Sequence, residues 1–293
     1  MPTAGYPNAS RPNGAAQRLA QPIKRAIAQQ VVGLFNDRAK GERPVPRRTD
    51  GLFGPQAIAW RIHGDVGAMM VGGISSLMLQ MLHPKVLAGV WDHSNFRQDM
   101  QGRLRRTARF IATTTYGSRE DAEAIIARIN KIHARVGGTL PNGEPYSATD
   151  PDLLAWVHVT ETTSFLSAWV RYAEPFMSGP DQDRYFAEMA QIGTALGASP
   201  VPRSKAEAQR LITQMRPALR VDARTREIAD ILLNQRSPDP LVAPMQALAT
   251  QAAMDLMPVW AQRMHKVETP LFAKPALRAG AFGIANTLRW AFT

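Results

Sequence analysis

Cysteine is absent from all 293 residues. This excludes disulfides, thiolate metal sites, iron–sulfur clusters and cysteine nucleophiles together. It also agrees with a reducing compartment, so the expected location is cytoplasmic. Aromatic residues are few, at 7%. No alternating run competes as a strand, and no internal repeat is present. The most apolar stretch, 66–82 (VGAMMVGGISSLMLQML), is broken by Gly72, Gly73, Ser75, Ser76 and Gln80, so it reads as a buried core helix and no transmembrane segment is expected. The N-terminus lacks the apolar core of a secretory signal, and Arg47-Arg48 has no apolar run behind it. Also missing are GxSxG, GxGxxG and GxxxxGK, which removes a nucleophile elbow and the common phosphate cradles. Of the six histidines (His63, His83, His93, His133, His158, His265), no two stand three to five residues apart. Local zinc or di-iron sites therefore have little support, because they draw paired ligands from one helix face.

What is present is a well-stocked core and a basic balance. Hydrophobic residues make up 45%, and the net charge is +11. Such a charge suits nucleic acid or an anionic surface. The basic residues are nevertheless spread out, with no cluster denser than Arg103-Leu104-Arg105-Arg106, so nucleic-acid binding is disfavoured.

Residues 1–20 form a Pro/Gly/Asn-rich mobile leader, and 21–50 hold an amphipathic helix (21–35) and a basic connector. A helical domain fills 51–293. In it, His83-Pro84 ends the glycine-rich helix, since proline disfavours helical geometry in the residue before it. Gly67, Gly72 and Gly73 cost helix stability, about 1 kcal/mol each against alanine. They therefore suggest close approach of another helix or a flat ligand. Helices follow at 99–116, 118–136, 149–172, 181–196, 204–216, 223–235 and 242–257, with a turn at 139–147. The tail at 271–292 is a basic, apolar helix kinked near Lys274-Pro275. The fold class is all-α, a single large domain of ten or eleven helices.

One pair of helices organises this domain. Arg103, Arg106, Thr107 and Phe110 share a face by the three-and-four rule. In the next helix, Ser118 with Asp121 makes a capping-box-like start, Ile125, Ile126, Ile129, Ile132 and Val136 recur as a buried stripe, and Gly137-Gly138 supply the stop. His133 falls on that stripe and is expected to point inward. Taken alone, it could be an ordinary hydrogen-bonded core residue and the arginines a solvated face. Alternatively, it could be the single axial ligand of a haem, whose porphyrin brings the other four ligands and whose propionates favour basic neighbours. His83 could cap a helix or face a pocket. His158 could bind near a cofactor or satisfy Glu161 or Thr162, one turn away.

The segments LMLQMLHPKVLAGVWDHSNF, GRLRRTARF, IHARVGGTL and DPDLLAWVHVTETTSF, in that order, resemble the catalytic domain of the rubber oxygenase (latex clearing protein) and MpaB-type oxygenase family. The likeness is closer to bacterial members without assigned activity than to the rubber-cleaving ones. The resemblance implies a globin-like haem b core, His133 as axial ligand of the iron, Arg103 and His158 at the cofactor, and Thr107 as its polar neighbour. Arg106 stands where rubber oxygenases carry a lysine able to reach iron; arginine cannot deprotonate to do so. Their distal glutamate also has no counterpart between Val66 and Arg97, where Asp92 is the only acid. The arginines typical around the axial histidine are Asn130 and Gly137 here.

The expected function is a haem-b-dependent oxygenase that uses molecular oxygen or peroxide on a hydrophobic small molecule of isoprenoid type, with Arg106 and Thr107 polarising the distal pocket. Met69, Met70, Leu77 and Phe110 would line it. A haem-binding sensor or carrier without turnover is the alternative, and a cofactor-free basic protein binding nucleic acid or membrane surfaces is the second. A homo-oligomer is left open.

Overall fold

The computed structural model describes residues 14–37, 41–235 and 243–292. Among these, thirteen α-helices and one small antiparallel hairpin are present, so the domain is all-α. They are α1 (Gly14–Phe35), α2 (Ile58–His63), α3 (Val66–Gln80), α4 (Pro84–His93), α5 (Met100–Tyr116), α6 (Arg119–His133), α7 (Pro151–Tyr172), α8 (Gly179–Ala195), α9 (Lys205–Met215), α10 (Ala223–Asn234), α11 (Ala243–Leu256), α12 (Val259–His265) and α13 (Lys274–Phe292). The hairpin strands are β1 (Gly137–Thr139) and β2 (Pro145–Ser147), with Gly138 opposite Tyr146. The sequence suggested only a turn there and no strand anywhere; short pairing across Pro141-Asn142-Gly143 escapes a test that needs longer alternation.

Helix α7 is the spine. Pro151 stands in its first turn, and the Asp150 carboxylate accepts from the Asp152 amide at 2.9 Å. Its centre is buried nearly all round, as expected of a helix with neighbours on every side, even though it carries His158, Glu161 and several Thr and Ser. Trp156 is fully buried, and its indole N–H donates to the Gln80 carbonyl of α3. Beside α7 runs α3, and Gly72 explains how closely. A methyl added there would meet the Phe165 Cα and the Ser164 carbonyl, both at 3.0 Å. Gly67 does the same for α13, with Ala285 at 3.2 Å. Two of the three glycines thus admit neighbouring helices rather than a flat ligand. Gly73 has only ordinary contact with the Phe165 ring. The α3–α4 pair is bent by 105°, and no single described helix is long and apolar enough to cross a membrane.

A kink was expected near Lys274-Pro275; the C-terminal helix instead starts at Lys274, so Pro275 stands in its first turn. Three ion pairs fasten it: Arg289 to Asp65, which also N-caps α3, and Lys274 and Arg278 to Asp255 of α11. At the other end of the chain, α1 begins at Gly14, so residues 14–20 are helical rather than leader; 1–13 lie outside the described residues.

Candidate functional site

Helices α5 and α6 form a hairpin about Gly117-Ser118. Ser118 accepts from the Asp121 amide and donates to its carboxylate, as its spacing predicted. Arg103 stands fourteen residues before Gly117 and His133 sixteen after it. Both therefore stand near the ends of their helices that lie away from the Gly117-Ser118 turn.

His133 is less deep than expected. It is the last residue of α6 and only half-buried, while Ile132 is 47% exposed. The isoleucine stripe is fully covered only near the start of the helix, at Ala122 and Ile126. The helix also stops before Gly137-Gly138, because those residues enter β1. Even so, His133 Nδ1 is buried without a hydrogen-bond partner, and desolvation lowers its pKa, so the ring is a neutral imidazole.

Arg103 is half-buried. Its nearest partner is the Ser94 hydroxyl at 3.3 Å, and it has no ion pair among the described residues. Burial, with the charge of Arg106, holds its guanidinium below the ordinary value. It is thus a desolvated cation with no anion. The adjacent His93 bonds the Gly137 carbonyl at 3.0 Å, so the end of α4 ties Arg103 to the loop just after His133.

The other two members of the arginine face go elsewhere. Arg106 is exposed and reaches Asp99 (3.4 Å) and Asn95 (3.3 Å). Thr107 is exposed and donates to the Arg103 carbonyl. Asp99 N-caps α5 through the Gly102 amide, so the first turn draws Arg106 outward. Asp92, the lone acid of its region, accepts from the Tyr146 hydroxyl at 2.7 Å and pairs with Arg224.

His158 sits on α7 against Gly193 of α8; a Cβ on that glycine would meet its Nε2 at 2.9 Å. Two residues further on, the Ala195 carbonyl accepts from Asn130, which precedes His133 by three residues. The end of α8 thus joins the His158 and His133 neighbourhoods. His158 Nε2 is buried without a partner, and so is the Thr162 hydroxyl, which rules out the expected bond between them. His83 takes the N-cap position of α4, not a C-cap, with Nδ1 also unpartnered.

Sequence reasoning missed a buried polar line beside His158. His63 of α2 bonds Thr115 of α5 at 2.7 Å through Nδ1 and Tyr185 of α8 at 2.8 Å through Nε2. Burial pushes the His63 imidazole down to about 3 and the His158 imidazole to about 4. Burial also raises the Tyr185 phenol, with a further push from the nearby Glu161. Glu161 itself has no hydrogen bond or ion pair among the described residues, and desolvation lifts its carboxyl to about 7. The available signal was one acid among the apolar residues of α7. Together these groups can hold protons at neutral pH without carrying charge.

Among the described residues no three His, Asp or Glu side chains converge as metal ligands. A group bringing its own in-plane ligands asks less: one neutral imidazole and a cation for an anionic edge. His133 and Arg103 fit that demand.

A sequence model of the family described as "ER-bound oxygenase mpaB/B'/Rubber oxygenase, catalytic domain" matches residues 60–290. No curated protein and no solved structure matches the chain.

Proposed function

This chain belongs to the mpaB/rubber oxygenase catalytic-domain family, and from that premise we propose that it is a haem-b oxygenase acting with molecular oxygen on a hydrophobic small molecule. Haem, when bound, supplies the redox-active iron and its in-plane nitrogens. His133 would hold the iron through an imidazole nitrogen, and Arg103 would meet the anionic edge of the group. The observation that carries the reading is a desolvated guanidinium without an ion pair among the described residues, linked through Ser94, His93 and Gly137 to the segment just after an imidazole whose buried nitrogen lacks a partner.

The remaining roles follow from position. Half-buried Met69, Met70 and Phe110 offer apolar surface, whereas Leu77 is core. His158 borders the cofactor from α7. Arg106 and Thr107 were expected to polarise the distal pocket, but their exposure and their bonds to Asp99, Asn95 and the Arg103 carbonyl argue for fixing the first turn of α5 instead. Glu161, titrating near neutrality, is the group of this face suited to exchange a proton.

The test is a haemin titration of the purified chain. A saturable Soret band that disappears in His133→Ala and weakens about tenfold in Arg103→Leu is expected; an unchanged band in His133→Ala overturns the assignment. Oxygen uptake with squalene or a carotenoid then separates turnover from a haem carrier. The carrier reading has one observation in its favour: Asp92 is committed to Tyr146 and Arg224 and is not free to act as a base.

A further inference from the structure

On the other side of α7, roughly half a turn from His158 and Glu161, lies a cavity of about 290 Å³. Its walls come from α3, α7, α9, α11, α12 and α13. One part is apolar and includes Trp156, Trp260 and Ile212. A second part is a row of small hydroxyls from α3 and α7: Ser75, Thr160, Thr163, Ser164 and Ser167. The third is charged. Asp255, with a fully buried side chain, meets Arg171 at 3.1 Å, Lys274 at 3.4 Å and Arg278 at 2.7 Å.

Asp255 is the only acid in this lining, so three cations face one carboxylate, a local excess of two positive charges. Arg171 and Arg278 are 31% and 44% exposed, which places the excess at the mouth rather than the floor. Thr163 lines the cavity, and its hydroxyl is buried without a hydrogen-bond partner. Val259, 50% exposed, stands at the rim. A site with cations at its mouth, an unused donor inside and tryptophans behind suits a ligand with one anionic end and one apolar end. Its volume lies at the small end of ligand pockets, so a long-chain lipid does not fit.

We propose that this cavity binds a small amphiphilic carboxylate, its head on Lys274, Arg278 and Arg171 and its tail against Trp260 and Ile212. The site is separate from the His133 face and requires no haem. Because two of its walls belong to α11 and α13, an occupant would also fasten the C-terminal helix.

The test is isothermal titration of the full-length, haem-free chain with octanoate, using octanol and inorganic phosphate as controls lacking the charge and the tail. Saturable one-to-one binding of octanoate alone is expected. Lys274→Gln should weaken it at least tenfold, Thr163→Val about threefold, and Ser167→Phe, which fills the cavity, should abolish it. Failure of octanoate to bind the folded chain overturns the proposal. So does equal binding of octanol, or full binding by a folded Ser167→Phe variant. Should Lys274→Gln not fold, Thr163→Val and Ser167→Phe decide alone. None of these readouts depends on haem, so the family reading can fail without touching this one.

Discussion

The two faces of α7 bury titratable groups in opposite ways. Toward α2 and α8, desolvation holds His63, His158 and Tyr185 uncharged at neutral pH and raises Glu161 until it titrates near neutrality. Toward α11 and α13, Asp255 keeps its charge and is surrounded by cations. Burial alone would raise the Asp255 carboxyl, but the hydrogen bond from Arg278 and the charges of Arg171, Arg278 and Lys274 outweigh it and leave it below its usual value. A neutral interior tolerates polar atoms without partners, such as His158 Nε2 and the Thr162 hydroxyl, at a cost in stability. An ionic one demands that every charge be met. The face with His158 Nε2 and the Thr162 hydroxyl unmet is joined through α8 to His133, and its shifted titratable groups are where a functional site is most readily sought.

The contrast can be broken most forcefully at Asp255. Asp255→Asn removes the anion and leaves three cations facing one another. A loss of about 3–5 kcal/mol is expected, the range for breaking a buried ion pair, read as a lower denaturant midpoint. Glu161→Gln on the opposite face should have no such cost at neutral pH, because the glutamate already holds its proton about half the time there. If the two variants unfold alike, the faces do not differ in the way described.

Packing between the faces gives the next effect. Gly72→Ala drives a methyl into the backbone of α7 at 3.0 Å, and neither Phe165 Cα nor the Ser164 carbonyl can swing aside. A cost of about 1–3 kcal/mol is expected, as for other overpacked cores. Gly73→Ala, with the Phe165 ring at 3.7 Å, is the internal control and should be close to neutral or slightly stabilising in mid-helix. Equal effects of the two would show that α3 can shift along α7.

How much of this was legible follows from the range of each interaction. Caps are local, so Ser118 with Asp121 marked the start of α6 correctly, and Ser204 and Asp150 cap α9 and α7 over the same short range. The glycines announced a close approach but not the partner. His133 fell on the apolar stripe by period, yet helix α6 outruns its cover, and a repeat of 3.6 says nothing about where a neighbour ends. The His63–Tyr185–Thr115 line needs three elements far apart in sequence and leaves no local pattern. Asp255 left a faint sign, an acid inside the run AAMDLM, whereas its three cations come from two distant helices.

The neutral face should also respond to pH in both directions. Glu161 has a folded pKa raised from 4.5 to about 7, so its contribution is fully present below 4.5 and is lost as pH rises through about 7. The imidazoles have the opposite sign. His63 and His158 are depressed from 6.5 to about 3 and 4, so their contribution is present above 6.5 and is lost as pH falls toward those values. The two windows overlap between 4.5 and 6.5, where two imidazoles outweigh one carboxyl, so stability measured by denaturant midpoint should rise with pH to about 6.5 and decline only beyond it. Glu161→Gln should remove the alkaline decline and steepen the rise from the acid side. A decline just above 6.5 that survives Glu161→Gln would have to come from another group.

The smallest expected effect separates a used hydroxyl from an unused one. Thr115 Oγ1 bonds the buried His63 at 2.7 Å, and Thr115→Val would strand that ring nitrogen, costing about 1–3 kcal/mol. Thr163 Oγ1, on the charged side, is buried with no partner, so Thr163→Val replaces an unmet polar atom with a methyl of similar shape. Its change should stay within about 0.5 kcal/mol or favour the folded state. A threonine left unmet in a tight helical interior is hard to explain as a packing element, because valine would serve as well. Should Thr163→Val prove as costly as Thr115→Val in the ligand-free chain, that hydroxyl already has a structural partner, and the cavity loses an unmet donor.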